Sequence, residues 1–395
     1  MSGLQISTKN GQLNRVVIDT TSTNKLSGEI NASVFEDLEE ITVNRSGISS
    51  LSGGVNLRKI SLGGNSISNF SSIHPGISSF TNLTDLILSA DDHLTGNVPS
   101  LSDNVLLRNL TLHGNSDKSS AVITGLDGIL PTLSDNPSLS YVDFRNNSFS
   151  GEIPALSSNT KLKEIYFNGN PELSGFLPEL SACQDLRNIN FTKLGLSGRI
   201  HDFEKTPKLE TYHAFQNHMT GGVPALSACT NLLTMDLNQN YLSGGIPFIN
   251  NLTKLKLLNL QNNGLSGHFP DITNLGSLEF LRFNKNDRNG SDGIIGEIPD
   301  LSGCPNLKVL DIAVNQLTGW NGTVWPSIQF KNIQAQSNLL PQSEVDRILA
   351  AINATGQSGG SGYLINLAGT GNAAPTNGNS NADKVALENR NWNVD

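Results

Sequence analysis

Charge is scarce in this chain: only 15% of its 395 residues are Asp, Glu, Lys or Arg, and aromatic residues make up 6%. The net charge of −9 is scattered instead of blocked. No basic face can be assembled from it, which argues against nucleic acid as a partner, because phosphate neutralisation needs one. No apolar run approaches the ~20 residues that cross a bilayer as a helix, so no membrane span is expected. The opening MSGLQISTKNGQLNRVVIDT lacks the apolar core of a signal peptide, and signal-directed export is not expected. Only three cysteines occur, Cys183, Cys229 and Cys304. HExxH, GxSxG and a phosphate-binding Gly-rich loop between strand and helix are all missing, and the seven histidines are dispersed. Neither catalysis nor a cofactor or metal is expected.

What the chain has is repetition. LSYVDFRNNSFSGEIPALSSNTK from Leu139, LLTMDLNQNYLSGGIPFINNLTK from Leu232 and LKLLNLQNNGLSGHFPDITNLGS from Leu255 are copies of one sentence. Units start at Leu38, Leu57, Leu83, Leu107, Leu139, Leu162, Leu186, Leu209, Leu232, Leu255, Leu278, Leu307 and Phe330, with a degenerate one at Leu13. Inside LxxLxL the period of two sends alternate side chains of a short strand inward. The ninth position is Asn in ten of the thirteen units from Leu38, among them Asn115, Asn147, Asn240 and Asn263. An amide both donates and accepts, so stacked copies can satisfy the backbone of the turn leaving each strand. The Gly of LSGxIP permits a turn closed to most residues, and the Pro sets an extended return.

Each cysteine lies three residues before a unit start, in SACQDL, SACTNL and SGCPNL. With strands ~4.8 Å apart, the closest two stand roughly 10 Å from each other, beyond the ~7 Å reach of a disulfide. They are read as small buried hydrophobes on the return side. The unit from Leu278 carries the insertion NKNDRNGSDGII, whose Asp287, Asn289 and Asp292 match no EF-hand spacing; a solvated loop is expected there.

The hexapeptides LTGNVP, FSGEIP, LSGFLP, MTGGVP, LSGGIP, LSGHFP and IIGEIP, each following an LxxLxLxxN segment or a close variant, resemble the plant-type leucine-rich repeat, LxxLxLxxNxLxGxIP. The resemblance implies a right-handed leucine-rich repeat solenoid. Its curved parallel β-sheet would face a mostly irregular or 3₁₀ convex side, closed by a small α/β C-terminal cap. Three segments follow: residues 1–12 as an N-terminal arm, 13–340 as about 13–14 repeats, and 341–395 as a capping module. In that module Ser343 to Asp346 reads as a capping box and Val345, Ile348, Leu349 and Ile352 as one helical face. A strand over Tyr363 to Leu367 and a second helix over Ala382 to Arg390 follow. The order SEVDRILAAI, a Gly-bounded strand, AAPT and KVALENRNWNV resembles the terminal module of repeat proteins from bacteriophages and environmental bacteria. Asn391 stands where that module carries Gly before its final Trp.

A solenoid performs no chemistry of its own, so function is sought on its surface. The third, fifth and seventh residues of LxxLxLxxN face outward from the concave sheet. Among them Tyr141, Tyr166, His213, Phe215, Phe280 and Arg282 form the candidate binding face, since rings offer area while amides and charges orient a ligand. The expected partner is a protein or a cell-surface glycan, with other virion proteins in addition. The favoured function is a non-enzymatic bacteriophage virion component, a receptor-binding appendage or a capsid-decorating protein, placed on the virion surface. The alternatives are a bacterial interaction scaffold, cytoplasmic or extracellular, and a plant-like receptor ectodomain.

Overall fold

The computed structural model describes residues 3–9, 12–19, 26–89, 94–114, 125–287, 293–323 and 330–395. The chain divides into two compact units, Met1–Ser197 and Gly198–Asp395. Each is a solenoid of short parallel strands, one per repeat.

In the first unit the strands Gln12–Asp19, Glu40–Asn44, Lys59–Ser61, Asp85–Ile87, Asn109–Thr111, Tyr141–Asp143, Glu164–Tyr166 and Asn188–Asn190 pair in that order, all parallel. In the second, Thr211–His213 is followed by Thr234–Asp236, Leu257–Asn259, Phe280–Arg282, Val309–Asp311 and Asn332–Gln334. Thr211, Thr234, Leu257 and Phe280 are partners in successive pairs, so the sequence period is the register of the sheet.

The first, fourth and sixth residues of each unit fill the core. Leu139, Val142 and Phe144 are fully buried, as are Leu255 and Leu260. The sixth positions Phe144, Phe167 and Phe191 make a spine with centroid separations of 5.4 and 5.8 Å. At Ala214 the sixth position is small, and the fourth residue of that turn, Tyr212, packs edge-on against Phe203 at 4.7 Å. Volume lost at one position is supplied at another, as close packing requires.

The ninth-position asparagines act as the sequence implies. Asn240 Nδ2 donates to the carbonyls of Ala214 (3.0 Å) and Leu237 (3.0 Å), and its Oδ1 accepts from Met219 N–H (3.1 Å). Asn147, Asn170, Asn263, Asn286, Asn315 and Asn338 repeat this arrangement. Asn115 lies outside the described residues. The residue before each such Asn is left-handed, with Gln216, Gln239, Asn262 and Lys285 at φ of 58°, 55°, 55° and 56°. Val314 takes the same conformation at 55°, which a β-branched residue tolerates poorly. Val314→Asn should therefore stabilise the protein by about 1 kcal/mol, since Asn visits this region at lower cost; a thermal melt checks it.

Two features depart from the sequence reading. The return side is not merely irregular: the LSGxIP segments pair into further parallel sheets, such as Leu126–Ile129 with Ser148–Glu152 and His218–Gly221 with Tyr241–Gly244. Their backbone groups recur at the repeat period, so stacked copies meet and hydrogen-bond. Nor is the described part of the N-terminal arm bare. Gly3–Lys9 runs antiparallel to Gln12–Asp19 and so covers the edge that the first strand would present.

The C-terminal segment closes the second unit. Helix α1 (Gln342–Ala354) buries Val345, Ile348, Leu349 and Ile352. The capping box expected at Ser343 is absent, because Pro341 is the N-cap and no side chain caps the helix. Glu344 instead accepts from Trp320 N–H (3.1 Å) and pairs with Arg347 (2.6 Å), while Asp346 accepts from Thr376 N–H (2.8 Å). Leu364–Asn366 and Asn393–Val394 extend the parallel ladder. Helix α2 (Ala382–Glu388) is capped by Asn381. Asn391 has φ of 66°, a left-handed conformation that Gly adopts without strain and Asn at lower cost than most residues.

Candidate binding face of the strand ladder

The outward residues of a strand are set by the same period that buries its core, so the candidate face needs no special loop. In the first unit Tyr141 and Tyr166 come together, with ring centroids 5.7 Å apart. The Arg145 guanidinium stands 5.5 Å from the centre of the Tyr166 ring and pairs with Asp143 at 3.1 Å. Tyr166 donates its hydroxyl proton to Glu164 (2.7 Å), and Tyr141 reaches Asp143 at 3.4 Å. Burial, with the charge of Asp143 next, pushes the Tyr141 hydroxyl up to about 12. Burial likewise raises Asp143, opposed by Arg145 and, from the preceding turn, His113. Two rings, a guanidinium and two carboxylates are thus held by one another. Such a platform is preorganised for a polar, ring-bearing ligand.

The second unit holds the other four predicted residues, and it does not bring them into one cluster. All are half-buried instead of fully exposed, because side chains on adjacent turns shield one another. His213 Nε2 is 2.9 Å from Thr234 Oγ1, and burial lowers its pKa, opposed by Asp236. Arg282 lies 5.7 Å from the centre of the Phe280 ring in its own strand. Phe215 stands outward in the seventh position of the His213 turn, and its carbonyl accepts weakly from Asn217 (3.4 Å).

Sequence reasoning missed Asp311, the fifth residue of the turn after Phe280. It is only 8% exposed, and burial raises it from 3.8 to about 6, opposed by a hydrogen bond from Ala313 N–H and by Arg282 and Lys285. Its signal was available, since Asp143 and Asp236 occupy the same repeat position. The unfolded carboxyl ionises near 3.8 and the folded one near 6, so between these values the folded state binds more protons. Stability therefore falls as pH rises through this window. Asp311→Asn should stabilise the protein at pH 7.5 by on the order of 2–3 kcal/mol, at 1.36 kcal/mol per pH unit. The gain should vanish below pH 4, as denaturation at the two pH values would reveal.

The cysteines are free and buried, with thiols pushed up to about 11 for Cys183 and Cys229 and about 12 for Cys304, chiefly by burial. They share their repeat position with Asn104, Asn136 and Asn159, which donate to carbonyls of the preceding turn. Each thiol lies near such a carbonyl, Cys304 Sγ at 3.2 Å from Ile272 O. The position takes a donor in these turns and an apolar side chain in others, where Phe80, Leu252 and Leu275 are fully buried. Among the described residues no group of three or more His, Cys, Asp and Glu is placed to hold a metal. Asn289 and Asp292 of the second insertion lie outside those residues. No described helix is long and apolar enough to cross a membrane.

The family described as Leucine Rich Repeat matches residues 254–275. The fold is that of a leucine-rich repeat protein. Among solved structures, the plant peptide hormone receptor RGFR1, solved in complex with RGF2, is similar at 26% identity and a TM-score of 0.62, over 80% of this chain and 55% of the receptor chain. The Arabidopsis receptor kinase HAESA, solved with the peptide hormone IDA and the co-receptor SERK1, gives 18% and 0.62 over 92% and 76%. The Leptospira interrogans leucine-rich repeat protein LIC12759 gives 18% and 0.50 over 83% and 88%. The chain spans about half the length of the RGFR1 chain it matches. No curated protein matches it.

Proposed function

We propose that this protein works by binding, without a catalytic step, and takes a protein ligand on the outer face of its strand ladder. The observation that carries this is the Tyr141, Arg145 and Tyr166 platform. Aromatic rings and a guanidinium, held in place before a ligand arrives, are the side chains that concentrate binding energy in protein interfaces. Similarity to a receptor solved with a peptide hormone supports the same reading.

A finer reading places the protein on a bacteriophage particle, as a receptor-binding appendage or a capsid-decorating component. The order of segments in its C-terminal tail supports it. Mass spectrometry of purified particles tests the location. Absence from particles, with presence in bacterial cells, would favour the interaction scaffold. A photo-crosslinking amino acid in place of Tyr166 would identify the ligand at the platform. Tyr141→Ala combined with Tyr166→Ala should then weaken binding of that ligand, purified, by at least about tenfold, which corresponds to ~1.4 kcal/mol. Phe215→Ala with Phe280→Ala should weaken it less. Unchanged affinity in both double variants would move the site off the ladder face.

A further inference from the structure

We propose that the Met1–Ser197 unit docks on a second copy of the same chain, the basic edge of one ladder lying on the acidic flank of the next. The second residue of each repeat sits immediately before its ladder strand. Arg58, Arg108 and Lys163 hold this place in alternate turns, with Thr84 and Ser140 between them. All three cations are exposed, and at ~4.8 Å per strand they recur roughly every 10 Å. Opposite charge gathers where the chain leaves the ladder. Asp127, Glu152 and Glu172 stand exposed on three successive flank strands, Leu126–Ile129, Ser148–Glu152 and Glu172–Phe176. None of these six side chains has a hydrogen bond or an ion pair among the described residues.

The two rows match turn for turn. The turn that begins at Leu107 carries Arg108 before its strand and Asp127 after it, and the turn from Leu162 carries Lys163 and Glu172 in the same way. A copy shifted along the strand direction therefore sets Arg108 against Asp127 and Lys163 against Glu172 at once, because both copies have the same spacing. Flank on flank, or edge on edge, would set like charges together.

The flank adds apolar area at the same two turns. Period two puts Ile129 on the face of Asp127 and Phe176 on that of Glu172, and these two side chains are 74% and 68% exposed. The aliphatic stems of Arg and Lys pack on such surfaces while their charged ends reach the carboxylates. An exposed ion pair alone binds weakly, so apolar area beside each pair is what makes the contact hold. Because it joins unlike surfaces, the contact does not close a dimer, and association can continue from copy to copy.

Light scattering of the full chain across protein concentration tests the proposal. At low salt the mean mass should rise beyond two copies as concentration reaches the submillimolar range. In ~1 M salt, where the screening length falls to ~3 Å, it should return to that of one copy. Arg108→Glu with Lys163→Glu, and separately Asp127→Lys with Glu172→Lys, should each shift association to at least about tenfold higher concentration, since like charges then face each other. An equimolar mixture of the two variants should restore it, because the reversed row of one fits the reversed flank of the other. Should either variant fail to fold, its neutral counterpart, Arg108→Gln with Lys163→Gln or Asp127→Asn with Glu172→Gln, must show the loss instead. The proposal is overturned if the wild type stays a single copy at low salt, stops at a dimer, or associates equally well in high salt. It is overturned too if a folded variant associates as the wild type does, or if the mixture of folded reversed variants fails to associate. None of these residues belongs to the Tyr141, Arg145 and Tyr166 platform, so a failed association would leave the protein-binding reading standing.

Discussion

Asn240→Ala combined with Asn263→Ala should cost more stability than the two single replacements added together. Asn240 donates to Ala214 O and Leu237 O, and Asn263 donates to Leu237 O (3.1 Å) and Leu260 O (3.1 Å). The Leu237 carbonyl thus receives an amide from its own turn and another from the next. Removing either asparagine leaves that carbonyl one partner, while removing both takes the two away. Each single replacement also orphans a buried N–H, that of Met219 or of Leu242. An orphaned buried group costs ~1–3 kcal/mol, so each variant should lose on the order of 2–4 kcal/mol once its own lost bonds are added. The coupling should exceed about 0.5 kcal/mol, as for residues sharing a partner. A double-mutant cycle in denaturant measures it, and strict additivity would show that the ladder does not act as a chain.

Leu260→Ala is the second large effect, with an expected loss of ~2–5 kcal/mol. The side chain is fully buried in the sixth core position, between Leu237 of the preceding turn and Phe283 of the next. Both neighbours are fixed by ladder hydrogen bonds: Leu237 N–H donates to Asn259 O (2.9 Å) and Phe283 N–H to Asp311 O (2.7 Å). The backbone therefore cannot close on the vacated space, and the cost should fall in the upper half of the range. Because a solenoid turn contacts chiefly its neighbours, the lost stability should appear locally. Hydrogen exchange should accelerate most in residues 232–287, and an unchanged melting temperature would contradict the register.

Much of this could be read from the chain because a repeat makes one decision many times. Leu139 and Leu255 are buried for the same reason, and each further copy repeats the inference at a new position. Asn240 and Asn263 were legible on the same ground, since their partners are backbone groups present whatever the neighbouring side chains. The platform was legible only in part. Tyr141 and Tyr166 are outward by position, but their closeness depends on Arg145, Asp143 and Glu164 meeting across two turns. Asp311 escaped because a fifth-position acid looks like an ordinary exposed one until burial by adjacent turns is known.

The sequence by itself determined the period, the register, the inward set and the asparagine ladder, because these follow from spacing along one strand and from backbone chemistry common to every turn. Only the tertiary structure decided what each turn meets in the next. It placed Gly3–Lys9 on the first edge instead of free, and gave α1 a proline at its N-cap with Glu344 turned to Trp320. It also showed that the cysteines lie where Asn104, Asn136 and Asn159 donate to carbonyls of the preceding turn. Apart from the Gly3–Asp19 hairpin and the Pro341 cap, which are local, those outcomes depend on residues in different turns, whose distance and burial no single repeat encodes.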